Sequence, residues 1–207
     1  MKVYQAGLPV VGAVGPSVVC LGVFDGVHLG HRALVDSALR IADEKKLLAI
    51  VHTYEPLPMS VIAPGRPLAA LTTLQERMDL LAACGPVKVA VSHFDSTLQQ
   101  TSGEEFFHRV LLDQLNARHI VVGFNHRFGR RADTDVEGLK KLCLQSGTGL
   151  TVIEPVQTDQ GLLVSSSAIR AAITLGDLKL AEQMLGRPPN RAMIDRVNAA
   201  YELEPKG

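Results

Sequence analysis

Between Leu21 and Val35 the sequence reads LGVFDGVHLGHRALV. His28 and His31 stand on either side of Gly30, with Gly22, Asp25 and Gly26 upstream. An apolar run leads in and an amphipathic pattern leads out, so the stretch joins a strand to a helix. Glycines there let the backbone approach a ligand closely or take positive φ. The start of a helix presents unpaired N–H groups, which favour anions. His31 falls in the first helical turn and His28 just before it, so both imidazoles could donate to one phosphate. Such fixed donors suit a phosphorus centre that gains negative charge, because phosphoryl-type chemistry needs mainly positioning and charge stabilisation. Two other readings stay open: a helix cap beside a surface histidine, and a metal pair, for which no further ligand cluster speaks.

A second group lies far downstream. Ser165, Ser166 and Ser167 precede a short helical pattern, with Arg170 in its first turn. Hydroxyls, a helix N-terminus and a guanidinium together form a polyphosphate cradle; the plainer alternative is a serine cap with a solvated arginine. In VGFNHRFG, Gly123 ends a strand and Asn125 sits at its carboxyl edge, where an amide can donate and accept at once. His126 and Arg127 add positive character, and Phe128 suits a core. Asp25 reads first as a turn residue, and second as a group that orients His28 or lies near a metal.

These groups need elements to place them. Residues 17–22, 47–53, 87–91, 119–123 and 150–155 read as strands. Residues 31–46, 73–84, 102–116 and 135–146 read as helices, with shorter ones opening at 165–167 and 176–177. Thr73 with Glu76 forms a capping-box pattern, and Ser102 with Glu105 repeats it. The alternation predicts an α/β, Rossmann-like, doubly wound parallel sheet, whose ligands bind beyond the carboxyl ends of the strands. The segments after Gly22, Thr53 and Val122 are therefore expected to line one crevice. The stretch 55–71 holds four prolines and reads as a lid or binding loop.

Composition narrows the class. The chain of 207 residues is 46% hydrophobic, enough for a real core. Acidic and basic residues balance at 21 each, so no broad nucleic-acid footprint is expected. Cys20, Cys84 and Cys143 are far apart without metal-ligand spacing, as in a reducing compartment. With no leader pattern and no membrane-length apolar run, a cytoplasmic protein is expected.

His28-Leu29-Gly30-His31 matches the HxGH signature of the nucleotidylyltransferases. The wider GVFDGVHLGHRALV resembles the adenylyltransferase domain of the bacterial riboflavin kinase/FAD synthetase family. The likeness continues in order: HTYEPLP at 52–58 is similar to the family's TFxPHP, and LTTLQER at 71–77 to its LTTxxEK. VGFNHRFG at 122–129 is similar to VGxDFxFG or VGxNFxFG, VSSSAIR at 164–170 to VSSTxIR, and GDLKLAEQMLGRP at 176–188 to the close of the domain. The resemblance implies transfer of the adenylyl group of ATP to FMN, with Mg²⁺ bridging phosphates. It implies His28, His31, Asn125 and Arg170 as catalytic residues. Gly22, Phe24, Asp25, Gly26, Gly30, Ser165, Ser166 and Ser167 would meet ATP. Tyr54, Pro56, Pro58, His126 and Arg127 would meet the flavin, and no protein metal ligand is implied.

The departures set alternatives. Leu57 stands where the family pattern has histidine, and Tyr54 where it has phenylalanine. If that histidine touches the nucleotide phosphates, its loss removes one donor, which can cost on the order of a hundredfold in rate. A weakened nucleotide- or flavin-binding paralogue is thus one alternative, and a different phosphate-monoester acceptor is another. Residues 1–187 are expected to form the adenylyltransferase-like domain. Residues 188–207 are expected to be a short helix or disordered end, with no riboflavin kinase domain.

Overall fold

The apolar runs become strands because each is bounded by turn residues and must bury both faces. The computed structural model describes residues 2–5, 8–9, 14–64 and 69–202. Its strands are β1 (Lys2–Gln5), β2 (Leu8–Pro9), β3 (Ser17–Leu21), β4 (Leu48–Glu55), β5 (Lys88–His93), β6 (Ala117–Gly123) and β7 (Gly149–Ile153). The sheet order is β2-β1-β5-β4-β3-β6-β7. The strands from β5 to β7 are parallel, as expected; β1 pairs antiparallel with β5 and with β2. From central β3 the chain winds one way through β4 and β5, then returns to build β6 and β7 on the other side. The order therefore reverses between β3 and β6, and a crevice opens there at the strand ends.

Side chains of β3 alternate between two cores, as a period of two requires. Val18 and Cys20 face α1 (Leu29–Lys45) and α3 (Leu74–Ala82), packing with Val35, Ala38 and Leu81. Val19 and Leu21 face the other layer, built from α5 (Gly103–Phe106), the π-helical turns Phe107–Gln114 and α6 (Val136–Ser146). There they meet Phe107, Leu111 and Leu139. Two short helices, α2 (Pro58–Ile62) and α4 (Ser96–Gln100), lie in connections. A third core joins α7 (Ser166–Thr174), α8 (Leu178–Leu185) and α9 (Arg191–Glu202) to Leu71 and Val164.

Local signals behave as their chemistry demands. The Thr73 hydroxyl accepts from the Glu76 amide while the Glu76 carboxylate accepts from the Thr73 amide, closing a capping box. Ser102, Ser165 and Asp177 cap α5, α7 and α8. Three features add to or alter the expectations: an edge, a helix interior and the choice between two alternatives for the tail. The antiparallel edge was not anticipated. The helix expected over 102–116 is α-helical only at its start. The segment expected as a short helix or disordered end carries α9, whose Met193 and Val197 are buried against α7 and α8. Within the proline-rich stretch, residues 65–68 lie outside the described residues, as do residues 203–207 of the tail. Among the described residues no helix is long and apolar enough to cross a membrane.

The burial of Met193 makes α9 part of the domain's packing. Met193→Ala is expected to cost about 2–5 kcal/mol, read as a lower denaturant midpoint with an unchanged slope.

Candidate active site

After β3 the chain turns sharply, and the turn is strained. Phe24 and Val27 have φ of 56° and 40°, and Gly26 has φ of 86°. A left-handed residue other than glycine costs about 1–2 kcal/mol, so surrounding groups must hold it. The Asp25 carboxylate is the main fastener. It is 2% exposed and accepts from the Leu71 amide (3.1 Å), the Thr72 amide (2.9 Å) and the Thr72 hydroxyl (3.1 Å). Arg170 completes the set with an ion pair. The Gly26 amide donates to the Thr72 hydroxyl, and Ser166 donates to the Asp25 carbonyl. Arg187 donates to the carbonyls of Gly26 and Val27, and Thr53 to that of Val23. Gly26 fits for a further reason: a Cβ there would lie 2.7 Å from the Leu71 side chain.

That turn delivers His28 to the N-cap of α1. The His31 backbone N–H donates to His28 Nδ1 at 3.3 Å. An amide can only donate, so Nδ1 carries the lone pair and the proton of the neutral ring sits on Nε2. The two rings stack with centroids 3.6 Å apart. Gly30 leaves room for this, since a Cβ would sit 3.2 Å from the His28 ring. Burial, then the nearby Arg187 and Arg170, lowers the His28 pKa to about 4. His31 is lowered well below the usual histidine value by burial, then by His28 and Arg77. Both imidazoles are therefore neutral near pH 7, each with one N–H to give. Phe24 lies fully buried beside His31, with ring centroids 4.9 Å apart.

Two cavities meet at the crevice. The smaller, about 250 Å³, is lined by Gly22, His28, Gly30, His31, Asn125 and Ser165, among others. The Gly30 Cβ position lies 3.8 Å from the Val164 carbonyl, so the N-termini of α1 and α7 converge here. The larger, about 600 Å³, is lined by the aromatic rings of Tyr54, Phe94, Phe106 and Phe128, with Pro58, His126 and Arg127. The two share Gly22, Val23 and His126. As expected, the segments after Gly22, Thr53 and Val122 contribute to one crevice.

The structure places several of the residues expected to meet ligands away from both cavities. Phe24 packs in the core instead of facing a nucleotide. Asp25 and Gly26 line neither cavity, because their polar atoms are committed to Leu71, Thr72, Arg170 and Arg187. Arg170 is turned to Asp25 and to the Ala69 carbonyl, and Ser166 gives its proton to Asp25. Ser167 is exposed at the start of α7 and Pro56 stands at the end of β4; neither lines a cavity. Leu57 is buried and lines neither cavity.

Residues that hold the site were missed in the sequence reading. Thr72 and Arg187 clasp the turn. Arg77, 1% exposed, donates to the Thr53 hydroxyl and the Tyr54 carbonyl. Their signal lies in LTTLQER and LGRP, where Thr73 and Glu76 mark a capping box but nothing marks Thr72, Arg77 or Arg187 as partners of the turn. Among the described residues no cluster of three or more His, Cys, Asp or Glu side chains could hold a metal ion.

The chain is similar to known proteins over most of its length. The FAD synthetase family model matches residues 13–168. A "bifunctional riboflavin kinase/FMN adenylyltransferase" of Escherichia coli K12 is 33% identical over 171 residues, covering 83% of this chain and 54% of the relative. An "FAD synthetase" of Listeria monocytogenes is 35% identical over 173 residues, covering 83% of this chain and 69% of that protein. The chain thus spans about half the length of the bifunctional relatives. A solved Streptococcus pneumoniae structure, described as a macrolide-efflux protein, superposes with a TM-score of 0.77 at 31% identity, covering 86% of this chain and 58% of that one.

Two outcomes follow from the geometry. Asp25→Ala strands Arg170 and frees the turn, and breaking such a pair is expected to cost about 3–5 kcal/mol in chemical unfolding. The buried histidines also set a pH dependence. Burial lowers His28 and His126 to about 4 and His52 to about 3, against about 6.5 in the unfolded chain. Their stabilisation is fully present above pH 6.5 and is lost as pH falls toward the folded values, because the unfolded chain takes up protons first. Unfolding at pH 7.5, 6 and 5 should show stability falling by up to about 1.4 kcal/mol per pH unit for each such histidine. A flat profile over that range would contradict the neutral assignment.

Proposed function

The chain belongs to the FAD synthetase family, and from that premise we propose that it transfers the adenylyl group of ATP to FMN, giving FAD and pyrophosphate. The observation that carries this reading is the pair of stacked imidazoles at the N-terminus of α1, set where the smaller cavity meets the larger aromatic one. The aromatic cavity suits an isoalloxazine ring, with Tyr54, Pro58 and Arg127 on its wall. The smaller cavity suits the nucleotide, with its phosphates toward the converging helix N-termini.

In this arrangement a phosphate oxygen of FMN attacks the α-phosphorus of ATP in line. The new P–O bond forms as the bond to the oxygen bridging toward the β-phosphate breaks, and pyrophosphate leaves. His28 donates from Nε2, and the ring of His31 and the first amides of α1 add fixed dipoles where charge grows on the α-phosphate. Asn125, exposed at the end of β6, positions the reactants with its amide. Ser165 and the start of α7 face the departing pyrophosphate, and Arg170 acts on it through the turn it braces. Mg²⁺ enters with ATP as part of the substrate and needs few protein ligands. The setting we propose is the cytoplasm, where ATP and FMN are both available.

A protein incubated with ATP, Mg²⁺ and FMN is expected to release FAD and pyrophosphate in equal amounts, followed by chromatography. His28→Ala should keep the wild-type circular dichroism spectrum and lower kcat by about 10²–10³. Near-normal turnover in that variant would overturn the mechanism. Binding of FMN without product in the wild type would favour the weakened paralogue instead.

A further inference from the structure

We propose that the Tyr54 hydroxyl is a specificity-determining donor in the larger cavity: it bonds a carbonyl oxygen on the polar edge of the acceptor's ring system and so fixes which way round that ring enters. This rests on the flavin reading of the cavity given above. The family pattern has phenylalanine at this position, so the aromatic ring is shared and the hydroxyl is this chain's own addition.

The ring is set in place by its neighbours. His52 and Tyr54 lie two apart on β4 and so share a face. The His52 ring is fully buried and tied through Nε2 to the Ser92 hydroxyl at 2.8 Å. It meets the Tyr54 ring edge-on, with centroids 4.8 Å apart and planes at 85°. Phe94, just after β5, meets Tyr54 in the same way, at 5.6 Å and 89°. The Tyr54 carbonyl accepts from Arg77 at 2.8 Å, which fixes the backbone. The Tyr54 side chain lines the cavity and has no hydrogen-bond partner among the described residues. Burial pushes the phenol pKa up, so the hydroxyl keeps its proton and donates.

Other polar groups on this wall suit other tasks. His126 Nε2 is shielded from solvent. Arg127, Arg130 and Arg131 are exposed cations from the loop after β6, suited to an anion. A sheltered, neutral hydroxyl suits an uncharged acceptor atom. The benzenoid edge of a flavin has none, and turning it toward Tyr54 would leave the hydroxyl unpaired among aromatic rings, which is costly. The pyrimidine edge carries carbonyl oxygens and satisfies it.

The test is Tyr54→Phe in the full chain, which keeps the ring and restores the residue of the family pattern. FMN and riboflavin binding are followed by flavin absorbance, and ATP binding by calorimetry. Both flavins should weaken by about three- to tenfold and by the same factor, because the ring is common to them. ATP should stay within twofold. The infrared carbonyl bands of bound FMN should move to higher frequency in the variant, a shift that a merely structural role would not produce. Unchanged flavin affinity, loss confined to FMN, or unmoved carbonyl bands overturns the assignment and leaves the proposed function standing. A wild-type protein that binds neither flavin overturns both.

Discussion

A buried carboxylate governs this structure. Asp25 sits in the turn after the central strand with almost no contact with water, and a charge in that position is tolerated only with full pairing. Satisfying it draws together three distant parts of the chain: the loop at 69–72, the start of α7 and the turn itself. Once they are joined, the left-handed residues of the turn are held, and α1 begins at His28. The charge at Asp25 thus determines where the imidazoles stand. Its contribution to chemistry runs through geometry, since its oxygens are already engaged.

The histidines show the same logic carried to the electrostatics. Burial keeps both rings neutral, which under the proposed function lets them meet phosphate charges without exchanging protons. A neutral imidazole still donates one N–H, and the His31 amide dictates which nitrogen of His28 does so. Under the proposed function the attraction for anions comes from the two converging helix N-termini, while Arg170 and Arg187 are tied to the turn, Arg170 by its ion pair with Asp25. Fixed donors of this kind need little reorganisation when charge develops. The reversal of strand order between β3 and β6 supplies the crevice itself, in which the two cavities share Gly22, Val23 and His126.

The alternation of apolar runs and amphipathic stretches was enough to foresee the parallel sheet, and local caps marked where Thr73, Ser102, Ser165 and Asp177 start their helices. The edge strands were illegible because pairing at an edge is decided by β5, not by their own short pattern. α9 was foreseen only as one of two alternatives, because it has few buried apolar residues, Met193 and Val197 among them, and its burial depends on α7 and α8 being in place. At the site, His28, His31, Asn125 and Ser165 could be placed by type and spacing. Ser166 and Arg170 could not, and Asp25 only as a turn residue, because a motif records that polar groups are needed and leaves open whether they face a ligand or one another. That distinction lives in contacts such as Ser166 to Asp25, across more than a hundred residues of sequence.

Leu57 illustrates the same point from the opposite direction. Considered as a motif position, a leucine in place of histidine removes a donor and argues for a weakened site. In the fold, position 57 is the N-cap of α2, its side chain is buried, and it borders neither cavity. An imidazole held there would need a buried partner of its own, whereas a leucine needs none. The backbone serves instead: the Leu57 carbonyl accepts from the Ser60 hydroxyl at 2.7 Å, fixing the start of the helix that presents Pro58 and Ile62 to the aromatic cavity. The substitution therefore leaves in place the polar groups His28, His31, Asn125 and Ser165 that border the smaller cavity, which come from the turn after β3 with the start of α1, the end of β6 and the start of α7.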